Sequence, residues 1–383
     1  MKGLAATLVL IAAALVVAAA RAGHEFPVYP SYYPHLITVE TVAPEVAAER
    51  LRANQIQAYV GPEPDFGSKL PDSIAAVASL GSFVIVRVNP ASPLSRSGVS
   101  SCDVARAVIR EIAGHPGPVT VHPYPVTPLH GDYLYHADLA DAARARLLDA
   151  VDPLPRGAAH PKLLAAGNLA RELFPRSSLT QSADWDASVE TVDAADLVNG
   201  AETSINAWMG PPWLRKGWFQ ASLLLAPSLP DGPGRERVEA DRRRLEALDY
   251  ASSVERINLE RDLVATLSAS CQAVVAGYTV KRQYLSTDYS AGIENIDYDF
   301  ITGLASPMFI RTVKLKDFPW NGPLTVGIDA KPVAAWNPVA GFDDRFGRLL
   351  WSALGDPALL PAPGDVGWML NRISDVRPNA LSR

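Results

Sequence analysis

The sequence predicts an α/β protein of two lobes, with a mixed or parallel sheet in the N-terminal lobe and a helical, aromatic-rich second lobe. Three observations predict it. Short β-branched runs alternate with amphipathic helical runs between residues 36 and 126. The pattern then turns helical from 137 to 175. After 176 the composition shifts, and four of the eight tryptophans fall at Trp185, Trp208, Trp213 and Trp218. With 48% hydrophobic residues, the chain has ample material for a core.

The first 22 residues stand apart from that fold. Met1-Lys2 is a short positive start, Gly3 to Ala20 is an unbroken apolar run of 18, and Ala20-Arg21-Ala22 is a small-x-small site. Charge, apolar run and small-residue site in that order mark a secretory signal cleaved after Ala22. The alternative is a retained anchor, since a bilayer span takes about 20 apolar residues. Residues 23–35 hold Pro27, Pro30 and Pro34 among tyrosines, which forbids a helix and suits an extended arm. The α/β lobe follows at 36–175, then a second lobe at 176–375 with a long helix and a turn-rich C-terminal part, then a polar tail at 376–383.

Within the first lobe, LITVETV (36–42) alternates as a strand does, APEVAAERLRAN (43–54) has helical spacing with Pro44 in its first turn, and IQAYVG (56–61) reads as a second strand. So short a strand–helix–strand unit implies parallel pairing. The unit is expected to recur through SFVIVRVNP (82–90), a helix over Asp103–Gly114 capped by Ser100, Ser101 or Asp103, and the strand PVTVHPYPV (118–126). Helices are expected at 137–151 and 160–174. The longest helical signal runs from Gly234 to Ala276 with one break near DYASS. FIRTVKL (309–315) and LTVGIDA (324–330) read as strands, and RFGRLLWSALG (345–355) as a short helix.

Loss of Lys2 and Arg21 with the signal would take the net charge from −6 to −8, and no long basic run remains, so the reading excludes a nucleic-acid partner. Two cysteines, Cys102 and Cys271, would form one disulfide in an oxidising compartment; two buried thiols are the alternative.

Five of the seven histidines lie between His115 and His160. His122, His130 and His136 are the metal candidates, in VHPYPVTPLHGDYLYHADL. Their spacings of eight and six positions match no zinc motif and no single helix face. Their place counts for more: a proline-stiffened connection after a strand, where ligands collect in α/β sheets. Tyr124 and Asp132 in this connection are ligand-contact candidates, with His24 and His35 of the arm as neighbours to test. The bland alternative is a loop of hydrogen-bonded histidines and packed tyrosines. Asp288, Glu294, Asp297 and Asp299 crowd a second loop, but no EF-hand spacing is present, and a solvated loop is the expectation. Trp208, Trp213, Trp218, Trp320 and Trp336 complete the ligand-binding candidates, with Arg215 beside them to receive an acidic group. Core packing is the alternative for each tryptophan. No organic cofactor is called for; a metal ion is the one candidate. Motifs of α/β-hydrolases, P-loop proteins and zinc metalloproteases are absent.

The signal-like start, the α/β alternation carried by VAAERLRANQIQAYVG, and the helical, aromatic second segment together resemble the extracytoplasmic solute-binding proteins of bacterial transporters. That resemblance implies two lobes, a cleft between them, a small ligand, no catalysis, a membrane transporter as partner and a periplasmic or secreted location. Two other readings stay open: an accessory subunit of a cell-envelope complex, and a metal-binding protein or metal-dependent periplasmic enzyme.

Overall fold

The structure is a computed structural model, described over residues 34–149, 160–164, 167–174, 178–181, 184–199, 211–317, 322–333, 344–354, 359–361 and 368–370. The expected signal (residues 1–22), the arm up to residue 33 and the C-terminal tail lie outside the described residues. The chain begins with β1 (Leu36–Thr41), α1 (Pro44–Arg52), β2 (Ala58–Val60) and the 15-residue β3 (Ile74–Val88). A single helical turn at Pro93–Arg96 leads into α2 (Ser101–Gly114) and β4 (Val119–Val121). Then come α3 (Ala137–Arg144), β5 (Leu163–Leu164), α4 (Gly167–Leu173), β6 (Leu179–Thr180), β7 (Ala187–Asp193) and α5 (Ala194–Asn199). Three helices follow, α6 (Gly217–Leu225), α7 (Pro233–Glu246) and α8 (Ser253–Ala269), and then the 14-residue β8 (Ala273–Ser286). The C-terminal part holds β9 (Ile293–Asn295), α9 (Pro307–Thr312), β10 (Lys314–Leu315), β11 (Pro323–Ile328), α10 (Arg345–Leu354), β12 (Leu359–Pro361) and β13 (Trp368–Leu370).

Nine strands form one mixed sheet, in the order β1-β11-β2-β8-β3-β7-β5-β6, with β4 also on β8. Its spine is the antiparallel ladder of β3 and β8, from Ile74 opposite Ser286 to Arg87 opposite Ala273. Each end of the spine has its own neighbours. β8 pairs with β2 at Tyr284 and Leu285, and the sheet continues through β11 to β1. At the other end β8 pairs with β4 at Gly277–Thr279, while β3 pairs with β7 at Ser82–Val88 and the sheet runs on to β5 and β6. The register of the spine shifts between Leu80 and Phe83, where the two sets meet, and the Ser82 N–H donates to Thr279 Oγ1 at 2.9 Å.

Side chains alternate across the spine, so each half buries two faces. In the first half, Val77 and Leu285 pack with Phe309 and Phe346 of α9 and α10, while Ile74 and Tyr284 pack with Ala47 and Leu51 of α1. In the second half, Phe83 and Ile85 face α6, α7 and α8, while Val84, Val86 and Val88 face α2 and α4. The fold is thus mixed α/β, with two helix–sheet–helix halves on a shared pair of strands. Among the described residues, no helix is long and apolar enough to cross a membrane.

Several expectations are corrected. β1 and β2 do not pair with each other; β11 lies between them, parallel to both. A strand from far along the chain thus supplies the hydrogen bonds that the local unit was expected to make for itself. The unit does not recur as a parallel one, because β3 is antiparallel to both β7 and β8. The strand expected at 118–126 stops at Val121, where Pro123 and Pro125 remove ladder donors. The helical signal at 160–174 opens with the short strand β5. The signal at 234–276 divides into α7, α8 and the start of β8. Leu248, at φ 56°, ends the first helix, and Ser252 caps the second by accepting from Glu255 N. Beyond Ser270 the run Ala273–Ala276 is buried on both faces of the sheet, so its apolar spacing mimics a helix. Phe309–Thr312 is helix rather than strand, set by Pro307 in the first turn and by Ser306 capping Met308 N at 3.0 Å.

Cys102, in the first turn of α2, is bonded to Cys271, just before β8. The bond closes 169 residues and ties a helix on one face of the second half to the root of the spine. Replacing both cysteines by serine is expected to lower unfolding stability by about 2–5 kcal/mol, read from the urea midpoint and slope together, the slope rising as the unfolded chain is released. An unchanged midpoint would show that the loop closure contributes nothing.

Candidate functional site

The histidine stretch folds into a polar knot against α6 and α8. The His122 backbone N–H donates to Ala276 O at 3.0 Å and its Nε2 to Val126 O at 2.9 Å. Its ring is set against Tyr124, Tyr133 and Tyr278 at centroid distances of 5.8–6.4 Å. His130 Nδ1 accepts from Thr127 N at 2.9 Å, which places the proton on Nε2, and Nε2 donates to Gln220 Oε1 at 3.0 Å. The His130 ring is therefore committed through both nitrogens, and the His122 ring through Nε2. Of the metal candidates His122, His130 and His136, the group of ligand atoms that converges takes only His136.

Asp132 and His136 turn inward. Both carboxylate oxygens of Asp132 accept from Gly217 N, at 3.2 and 3.1 Å, an anion at the N-terminus of α6. Gly217 also lets Val126 pack against the start of α6, because a Cβ there would lie 2.5 Å from Val126 Cγ1. His136 has no exposed surface, and its Nδ1 shares a 3.0 Å hydrogen bond with the Tyr124 hydroxyl. Beside them Glu260 of α8 is 1% exposed. Its Oε1 accepts from Lys216 Nζ and from Arg256 Nη1, the latter at 2.7 Å. One ligand atom from each of Asp132, His136 and Glu260 lies within 4.8 Å of the others, the one group among the described residues with that capacity. His136 Nε2 and Glu260 Oε2 have no hydrogen-bond partner among the described residues.

Burial governs the charges here. It holds the His136 imidazole down at about 4, against the opposing pull of Asp132, and lowers His122 as well. Burial also pushes the Lys216 ammonium down and the Glu260 carboxyl up, and their mutual attraction works against both shifts. The tyrosine hydroxyl of Tyr124 is pushed up by burial and stays protonated.

The other sequence candidates divide three ways. Tyr124 and Trp218 are each 1% exposed and belong to the core of the second half, and Asp132 is equally buried. All three side chains lie in the interior. Trp213 is half-buried and packs on Trp218 and Phe219 at 6.1 and 4.7 Å. Arg215 Nε pairs with Asp299 Oδ2 at 2.8 Å, so its charge is answered within the protein. Trp208, Trp320 and Trp336 lie outside the described residues, as does His24; His35 is exposed at the head of β1. The acidic loop does not converge on an ion. Asp288 and Asp299 cap turns through Ser290 N and Ile301 N, and Glu294 pairs with Lys314. Glu260 escaped the sequence reading, yet a signal was there. It lies at i, i+3, i+4 and i+7 with Leu263, Val264 and Leu267, a charged residue on the buried face of a helix.

No protein-family model matches the sequence, and no curated protein matches it. Solved structures of similar layout include the oligopeptide-binding protein AppA from Bacillus subtilis with a nonapeptide (14% identity, TM-score 0.38, 72% of this chain and 59% of that one). A second is the ABC transporter-associated periplasmic binding protein DppA from Helicobacter pylori with the peptide STSA (12%, TM-score 0.36, 70% and 54%). A third is the binding protein AgaA from A. tumefaciens in complex with agropinic acid (13%, TM-score 0.34, 71% and 59%). The chain spans less than two thirds of the length of each.

Two outcomes are expected of the polar knot. His136 is neutral in the fold, so its contribution to stability is complete above pH 6.5 and is lost as pH falls toward about 4. In chelator-treated protein, acidification over that window should remove up to about 3 kcal/mol that His136→Asn does not lose. Parallel urea-midpoint curves for the two proteins would refute the assignment. Lys216→Met should destabilise by about 3–5 kcal/mol by leaving Glu260 short of one buried partner. Lys216→Met combined with Glu260→Gln should recover part of that loss, and no recovery would show that the pair is not coupled.

Proposed function

We propose that this chain is the exported solute-binding component of a membrane transporter, holding a small ligand between its two halves without chemistry. One observation carries the reading. Two separately cored helix–sheet–helix halves share two long antiparallel strands, and the register of those strands breaks where the halves meet. Among the described residues the chain passes between the halves along β3 and β8, and a twist at Leu80–Phe83 would move one half against the other. Such a seam is where a cleft for a ligand forms. The signal-like residues 1–22 support a periplasmic or secreted location after cleavage at Ala22.

Trp213 and Arg215 are our candidates for ligand contact, because Arg215 is held beside the seam by Asp299. The segment after Asp299 crosses that seam: Phe300 O accepts from Leu80 N at 2.6 Å, and Ile301 enters the core of the second half. Trp208, Trp320 and Trp336 complete the candidate set. The two-lobe boundary near residue 175 is proposed as a division of sequence only, since β8 and β11 return to strands that precede it.

Protein unfolded, stripped of bound metabolites and refolded should be stabilised by one chemical class among peptides, amino acids, sugars and organic acids. A hundredfold excess over Kd corresponds to about 2.7 kcal/mol. The same compound should shrink the radius of gyration in solution scattering, and Arg215→Ala should weaken its binding. Exported protein should begin at Gly23 by mass spectrometry. Absence of any stabilising compound, with a stable co-purifying envelope protein in its place, would favour an accessory subunit.

A further inference from the structure

We propose that Asp132, His136 and Glu260 form a buried site for one divalent transition-metal ion of the zinc class, which pins α8 to the loop ahead of α3. The site goes beyond the transport reading and stands without it.

Three observations carry it. The first is convergence: three ligand-type atoms, two from the Asp132–His136 loop and one from Glu260, 124 positions beyond His136, lie within 4.8 Å of one another in the interior. The second is vacant bonding capacity. His136 is fully buried and Glu260 nearly so, and each keeps one atom, Nε2 and Oε2, with no hydrogen-bond partner among the described residues. A buried nitrogen lone pair and a buried carboxylate oxygen left in this state are costly unless something binds them. The third is the outer ring of support that metal ligands need. Tyr124 bonds His136 Nδ1, which directs Nε2 to the ion. Gly217 N holds the Asp132 carboxylate. Lys216 and Arg256 share Glu260 Oε1 and leave Oε2.

Chemistry narrows the ion. One imidazole and two carboxylates suit zinc and its neighbours, whereas calcium takes six to eight oxygens. Ligand atoms about 2.1 Å from a tetrahedral ion lie about 3.4 Å apart, so closure from 4.8 Å needs only small side-chain rotations. The ammonium of Lys216 and the guanidinium of Arg256 oppose a further positive charge and make this a weaker site than an isolated pair of carboxylates. With all three ligands buried, the role assigned is structural: the ion would join α8 to the Asp132–His136 loop, and through Gly217 to the start of α6.

The test is metal content. Full-length protein without a histidine tag, refolded in zinc chloride and desalted, should retain about one zinc per chain by elemental analysis and lose melting temperature when a chelator removes it. His136→Ala and Asp132→Asn should each lower retained zinc at least about tenfold, while His122→Ala retains it. X-ray absorption at the zinc edge of the wild-type protein should fit one imidazole with oxygen ligands, a readout that survives even if a variant does not fold. Folded wild-type protein holding less than about one-tenth equivalent, a folded His136→Ala variant with wild-type content, or a shell of several imidazoles would each overturn the proposal.

Discussion

The β3–β8 ladder is the constraint on which the rest of this structure depends. Its two strands are long enough to serve both halves of one sheet, and every other strand of that sheet connects to one end or the other. A central strand must satisfy its backbone on both edges and bury both faces. Four cores therefore assemble around this one pair, two on each half. The Cys102–Cys271 bond anchors the root of β8, and Arg87 at the end of β3 is paired with Glu190 of β7. The register of this spine shifts twice, at Leu80–Phe83, where the halves meet, and at Val84–Ile85 within the second half.

The polar knot is organised by the same architecture. α6 and α8 cover the face of the spine that carries Phe83 and Ile85, and the loop from Val121 to His136 runs beneath them. A loop in that position cannot leave its polar groups to water, so its histidines and Asp132 take protein partners. His130 is bonded through both ring nitrogens and His122 through Nε2, while the buried His136 Nε2 has no partner among the described residues. The buried Lys216–Glu260–Arg256 cluster lies over the open side. The interior is thus most polar, and most dependent on protonation state, where the loop meets the two helices.

Much of the fold was legible locally. β1, α1 and β2 lie where alternation and Pro44 place them, and α2 begins at the cap offered by Ser100. The cysteine pairing followed from number and compartment. What local pattern could not supply was partnership. The period of Leu263, Val264 and Leu267 runs on into Val274 and Val275, and only the sheet shows that the latter pair sits in β8. The histidine cluster was visible as composition, but spacing could not separate His136 from His122 and His130. Glu260, 124 residues from His136, was invisible as its neighbour.

By itself the sequence determined the α/β class, the signal-like start, the two cysteines and the positions of most helices. These depend on composition, on periodicity within a few turns and on capping residues, all of which act between near neighbours. Only the tertiary structure decided that β11 enters between β1 and β2, that β3 and β8 are shared by two halves, and that Asp132, His136 and Glu260 converge. Each of those is a contact between distant segments, and burial, not local propensity, selects it. A strand accepts whichever edge covers its apolar faces, and a buried charge settles where partners from other elements meet it.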